Sequence, residues 1–204
     1  MKATYKGFEA KKSGGFTQLP PVGAYVAEIQ AVRLKTPDKN PDVRRDTIEL
    51  FMEITEGEYA NRFHQVYEDQ HERYPDTASY KGIFRLIPPI ENEDGYDWRK
   101  RTFEGNLWCV QQSNDGYTWD WHEEKLKGKK VGISLRKRLY TYTTKEGEKR
   151  DSETVEIARF ETVEDVQKGK CKPMRDRDQR EKREEDSTDG SEFTDVSKDI
   201  AVPW

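Results

Sequence analysis

Three histidines, two cysteines and one acid–base triplet are the residues of this 204-residue chain whose types suit catalysis, and none is spaced for it. His64, His71 and His122 show neither an HExxH spacing nor paired ligands, whereas a zinc site needs three or four donors held close. Cys109 and Cys171 stand far apart with no metal-ligand spacing and read as two free thiols. Gly14-Gly15 and Gly128-Lys129 lack the glycine pattern that turns successive backbone amides toward a phosphate, and no G-x-S-x-G elbow occurs. Asp120, Glu123 and Lys125 have the residue types of a metal-dependent nuclease, but they sit in a Trp-rich loop rather than on a hairpin. The expectation is a protein that is not an enzyme, with no cofactor and no metal.

Binding residues are better represented. Single-stranded nucleic acid is held by cations that follow the phosphates and by rings that stack on bases. Lys130, Arg136, Arg138, Tyr140 and Tyr142 share one face of a strand whose other face is Val131, Ile133 and Leu135. Phe51 lies opposite the apolar face of Ile48, Leu50, Met52 and Ile54, and Arg62, Phe63 and Tyr67 follow on the next segment. These nine residues are the expected single-strand contacts. Trp119 and Trp121 lie among acidic residues and are expected to cover one end of the fold.

The elements that must position them follow from periodicity. Residues 22–35 alternate with Tyr25, Ala27 and Ile29 on one face, then switch phase to Val32 and Leu34, as a bulge would require. Residues 47–55 alternate cleanly, a turn follows at Glu56-Gly57-Glu58, and residues 62–67 read as the returning strand of a hairpin. Residues 80–87 are apolar without a decisive period, and residues 97–112 place Phe103, Leu107 and Val110 at helical spacing. Residues 131–142 and 154–160 form a last hairpin about Glu146-Gly147, residues 162–170 a short helix, and no order is expected beyond Pro173. Mainly β with one or two helices, the tally of three strands, a helix and two strands is that of an OB-fold, a five-stranded Greek-key barrel.

Charge is unevenly spread. From Glu184 onward seven acidic residues face one lysine, about −6 on a chain of net charge −4, which leaves about +2 on residues 1–183. No stretch approaches the ~20 apolar residues that span a bilayer, and the first residues lack the apolar segment of a signal peptide. A cytoplasmic protein is expected, with no membrane partner. Its expected organisation is a flexible basic arm over residues 1–20 carrying Lys6, Lys11 and Lys12, a nucleic-acid-binding domain over 21–172, and a disordered acidic C-terminal tail over 173–204. Asp199, Ile200, Val202, Pro203 and Trp204 make an apolar, aromatic tip suited to a small pocket rimmed by Lys or Arg on a partner.

That tip resembles the one that closes bacterial single-stranded DNA-binding proteins, an acidic stretch ending in a motif like Asp-Asp-Asp-Ile-Pro-Phe. Here the ring is Trp204 and the acidic block is sparser. Residues 21–25, 80–86 and 126–132 are similar to stretches of bacteriophage single-stranded DNA-binding proteins. The resemblance implies an OB-fold that coats single-stranded DNA without sequence preference in a phage replication or recombination system, in the bacterial host cytoplasm. It implies docking of replication or recombination proteins on the tip, and it is compatible with a homo-oligomer. The alternative is a protein-interaction module that contacts a host protein through its barrel and tail and binds no DNA.

Overall fold

A computed structural model describes residues 17–38, 45–144 and 146–180. Strand β1 (Ala24–Lys35) carries the bulge its sequence predicts: Ile29 pairs with Met52, the register then shifts, and Ala31 pairs with Phe51. The shift lets Ala27 and Ile29 face inward before it and sets Val32 opposite Leu50 after it. Strand β2 (Thr47–Ile54) buries Ile48, Leu50, Met52 and Ile54 on one face. Its other face is buried too, at Thr47, Glu49 and Glu53.

The next element corrects the expected hairpin. Residues 62–67 belong to helix α1 (Arg62–Arg73), not to a strand. After the turn that follows β2, Asn61 takes a left-handed conformation, φ 59°, just before the helix, and Phe63 and Val66 then fall three apart on the buried side. No side chain of α1 caps it. Glu53 of β2 does so from the sheet: its Oε1 accepts from Phe63 N–H at 3.1 Å and Ile54 N–H at 3.0 Å, and its Oε2 from His64 N–H at 2.7 Å. A carboxylate at the positive end of a helix is favourable both as an acceptor and as a charge.

Strand β3 (Ile83–Leu86) settles the undecided apolar run and pairs antiparallel with β2. It starts tightly. A Cβ on Gly82 would lie 2.3 Å from the Met52 carbonyl oxygen, so only glycine fits there. Helix α2 (Tyr96–Gln112) lies where the spacing of Phe103, Leu107 and Val110 predicts it, and these three are buried. It is tied down by polar clasps: Asn106 Oδ1 accepts from Phe160 N–H at 3.0 Å, and Asn114 brackets the Lys130 backbone. A single 3₁₀ turn, Glu123–Leu126, leads into β4 (Lys130–Thr143) and β5 (Lys149–Glu161). Helix α3 (Val163–Gln167) is capped by Thr162, whose Oγ1 accepts from Asp165 N–H at 3.0 Å.

Among the described residues the protein is mainly β, with three α-helices rather than one or two. Its six-stranded sheet runs β3-β2-β1-β4-β5 and is not closed. Strand β6 (Arg177–Gln179), in the stretch where no order is expected, pairs parallel with β4 at residues 138–140. It covers an edge of β4 that β1 leaves free beyond Ser134. The two ends of the sheet approach each other without pairing, where Phe84 of β3 meets Phe160 of β5 at 4.4 Å between ring centroids. No helix among the described residues is long and apolar enough to cross a membrane.

Candidate nucleic-acid interface

On the outward face of β1, β2 and β3, pairing sets Arg33 opposite Glu49 and Glu49 opposite Arg85. Glu49 is 1% exposed, and it accepts from Arg33 Nε at 3.0 Å, Lys35 Nζ at 3.1 Å and Arg85 Nε at 3.0 Å. Burial pushes its carboxyl up, but the hydrogen bonds from these three cations outweigh burial and hold it below the usual glutamate range. One buried negative charge thus fixes three cations whose outer surfaces stay in solvent, for a local excess of two positive charges.

The same arrangement recurs across the unpaired seam. Glu156 of β5 accepts from Arg136 Nε at 2.8 Å, with Arg138 at 3.5 Å and Arg177 of β6 at 3.6 Å. Between the two groups lies a cleft of about 350 Å³, reached by Arg85, Arg99, Arg136 and Arg177, with Ile83, Phe84 and Ile157 along its floor and Trp98 at its rim. Trp98 is 65% exposed. From the cleft the β4 face continues through Arg138, whose guanidinium lies 5.2 Å over the Tyr140 ring, to Tyr142 at 6.4 Å from Tyr140.

A second aromatic patch adjoins Arg33. Its guanidinium lies 5.1 Å over Phe51, and Phe51 is 6.2 Å from Tyr80. Tyr67 meets the edge of Tyr80 at 6.1 Å and stacks on His71 at 5.7 Å. The Tyr80 hydroxyl lies 2.7 Å from the Met52 carbonyl and 3.0 Å from Glu53 Oε2; burial first, then the Glu53 charge, drives its pKa far up. Phe51 and Tyr80 form one wall of a hollow of about 390 Å³ rimmed by Gln30, Asn61 and His64.

Of the nine residues the sequence singled out, Arg136, Arg138, Tyr140 and Tyr142 stand together on one face of β4, and Phe51 and Tyr67 meet around Tyr80. Phe63 is corrected: it is 1% exposed, in the core beneath Tyr80, because α1 turns it inward. Arg62 packs over Tyr59 at 5.2 Å. Lys130 is exposed at the start of β4, six residues and about 20 Å from Arg136. Arg33, Lys35, Tyr80, Arg85, Trp98, Arg99 and Arg177 were missed, since strand pairing and the packing of α2 and of the loop before β3 bring them together. The tip residues Asp199, Ile200, Val202, Pro203 and Trp204, and the arm lysines, lie outside the described residues.

The nuclease triplet holds no metal geometry: Lys125 pairs with Asp120, and no group of three or more His, Cys, Asp or Glu among the described residues could hold a metal ion. Both cysteines are free thiols. Trp119 packs on the core, while Trp121 is 68% exposed beside Phe103. No protein-family model matches the sequence, and no curated protein is significantly similar to it.

Proposed function

We propose that this protein binds single-stranded DNA without sequence preference, along the arginine-lined seam and the two aromatic patches beside it. The observation that carries the reading is the paired arrangement of Glu49 and Glu156, each holding three cations on either side of one cleft. Arginines fixed in advance lose less side-chain freedom when a phosphate arrives, and each group keeps two positive charges to offer. Phe51, Tyr80, Trp98, Tyr140 and Tyr142 are the rings positioned to stack on bases, at roughly 1–3 kcal/mol for each productive stack.

The fold is proposed to be an OB-fold opened between β3 and β5. The sheet order, the helix between β3 and β4, and the Phe84–Phe160 contact support this. In that fold the β2–β3 face and the β4–β5 loop bind oligonucleotides, which are the surfaces bearing Phe51, Arg85, Tyr140 and Tyr142. The acidic segment and the tip at residues 199–204 are proposed to dock replication or recombination proteins. The setting would be a phage DNA system in the bacterial cytoplasm.

Photo-crosslinking to an oligo-dT carrying 5-iodouracil tests the placement. Crosslinked peptides containing Phe51, Trp98, Tyr140 or Tyr142 are expected. Crosslinks confined to Trp108, Trp119 and Trp121 would overturn it.

A further inference from the structure

A groove of about 540 Å³ runs along α2 and shares Phe103 with the arginine cleft. Phe103 and Leu107 floor it, Tyr96 and Trp108 rise from the helix, and Trp119 and Trp121 close it from the loop before the 3₁₀ turn. Trp108 is 53% exposed and Trp121 68%. Trp121 sits at φ 66°, a conformation costing a non-glycine residue about 1–2 kcal/mol, and it is there that the ring lies 5.9 Å from Phe103 and 6.0 Å from Trp119. The Trp119 Nε1–H is buried and has no acceptor among the described residues. Glu91, Lys100 and Glu104 also line the groove, and Lys100 lies 4.0 Å from Glu104.

We infer that this groove is the receptor for residues 200–204 of the same chain. Within residues 181–204 the only apolar run is Ile200, Ala201, Val202, Pro203 and Trp204; Phe193 and Val196 stand singly among polar neighbours. Pro203 and Trp204 match a groove walled by indoles and floored by Phe103 and Leu107. The reach is short. Arg177 shares the arginine cleft with Phe103, which also floors the groove, and the parallel pairing with β4 then carries the chain about 10 Å further along to Arg180. Twenty further residues cover roughly 25 Å as a flexible coil and about 65 Å extended, against the ~10–12 Å width of the helix between cleft and groove. The intervening segment carries seven acidic residues from Glu184 to Asp199, opposite in sign to the arginines of the cleft. Docked internally, the run is withheld from any partner protein that competes for it. This inference does not rest on nucleic-acid binding.

The test is ¹⁹F NMR of the full chain labelled with 5-fluorotryptophan, without nucleic acid, each resonance assigned through a single Trp→Phe variant. The Trp204 resonance is expected away from its position in the free peptide of residues 198–204. Trp108→Ala, which removes a half-exposed indole, should return it to the free position. Trp204→Ala, a change outside the described residues, should shift the Trp108 and Trp121 resonances. A Trp204 resonance at the free position in the full chain, or Trp108 and Trp121 unmoved by Trp204→Ala, would overturn the inference. A Trp204 shift that changes over a tenfold range of protein concentration would overturn it in favour of exchange between copies.

Discussion

Arg85 Nε lies 3.0 Å from Glu49 Oε1, so a cation on the last strand of one sheet end is fixed by a carboxylate buried on its neighbour. Glu49→Gln keeps the shape and removes the charge. Loss of the charge-assisted bonds should cost about 1–2 kcal/mol in urea unfolding. The Glu49 carboxyl is held below its ordinary value of 4.5, so its contribution is complete above that pH and fades as pH falls through the lowered folded value. The stability difference between the natural protein and Glu49→Gln should therefore shrink on acidification below about pH 4.5. A difference that grew with acidification would contradict the pairing.

Glu53 closes the first turn of α1 from outside the helix. Glu53→Ala strands the amides of Phe63 and His64 and should destabilise by about 2–3 kcal/mol, read from urea unfolding followed by circular dichroism. Tyr80→Phe removes a single hydroxyl and should cost only about 1 kcal/mol. Equal losses for the two would show that the carboxylate does not cap the helix.

Much of the fold was legible because its signals are local. The phase switch of β1, the alternation of β2 and the spacing of Phe103, Leu107 and Val110 each depend on residues within one element. Helix α1 was not, since six residues around Phe63 and Tyr67 fit either period and the deciding contact comes from Glu53 on another element. The candidate site was half legible. Arg136, Arg138, Tyr140 and Tyr142 share one strand and declared themselves by alternation. Arg33 and Arg85 lie 16 and 36 residues from Glu49, and nothing short of the strand register joins them. Phe63 misled because aromatic residues favour strands and cores alike.

On the β4 face, Arg136→Ala and Arg138→Ala should each flatten the plot of log affinity against log salt by about 0.7, one phosphate apiece. Tyr140→Ala should weaken oligo-dT binding by about 1–3 kcal/mol. Lys130→Ala, some 20 Å away along the strand, should leave the slope unchanged. Fluorescence anisotropy at four or five salt concentrations measures all of these, and a Lys130 effect equal to that of Arg136 would move the interface elsewhere.

The thiols give a check on packing. Burial, reinforced by Glu161 and Asp165, pushes Cys109 up to about 11, and Cys171 is raised by the same causes. At pH 7 Cys109 is thiolate in only about one molecule in ten thousand, and it should be the last thiol alkylated by iodoacetamide in native protein. Mass spectrometry of timed samples reads the order; Cys109 labelling first would mean that α2 does not stay packed on β5.

The central claim is tested most directly by titrating the intrinsic tryptophan fluorescence with oligo-dT at low and high salt, with duplex DNA as competitor. Trp98, one of five tryptophans, stands at the rim of the arginine cleft, and the part of the signal lost in Trp98→Phe is the part local to the proposed path. Saturable quenching that weakens with salt and survives duplex competitor is the predicted result. A flat titration at low salt would contradict it, and the Trp-walled groove on α2 would then mark a protein that acts through peptide contacts alone.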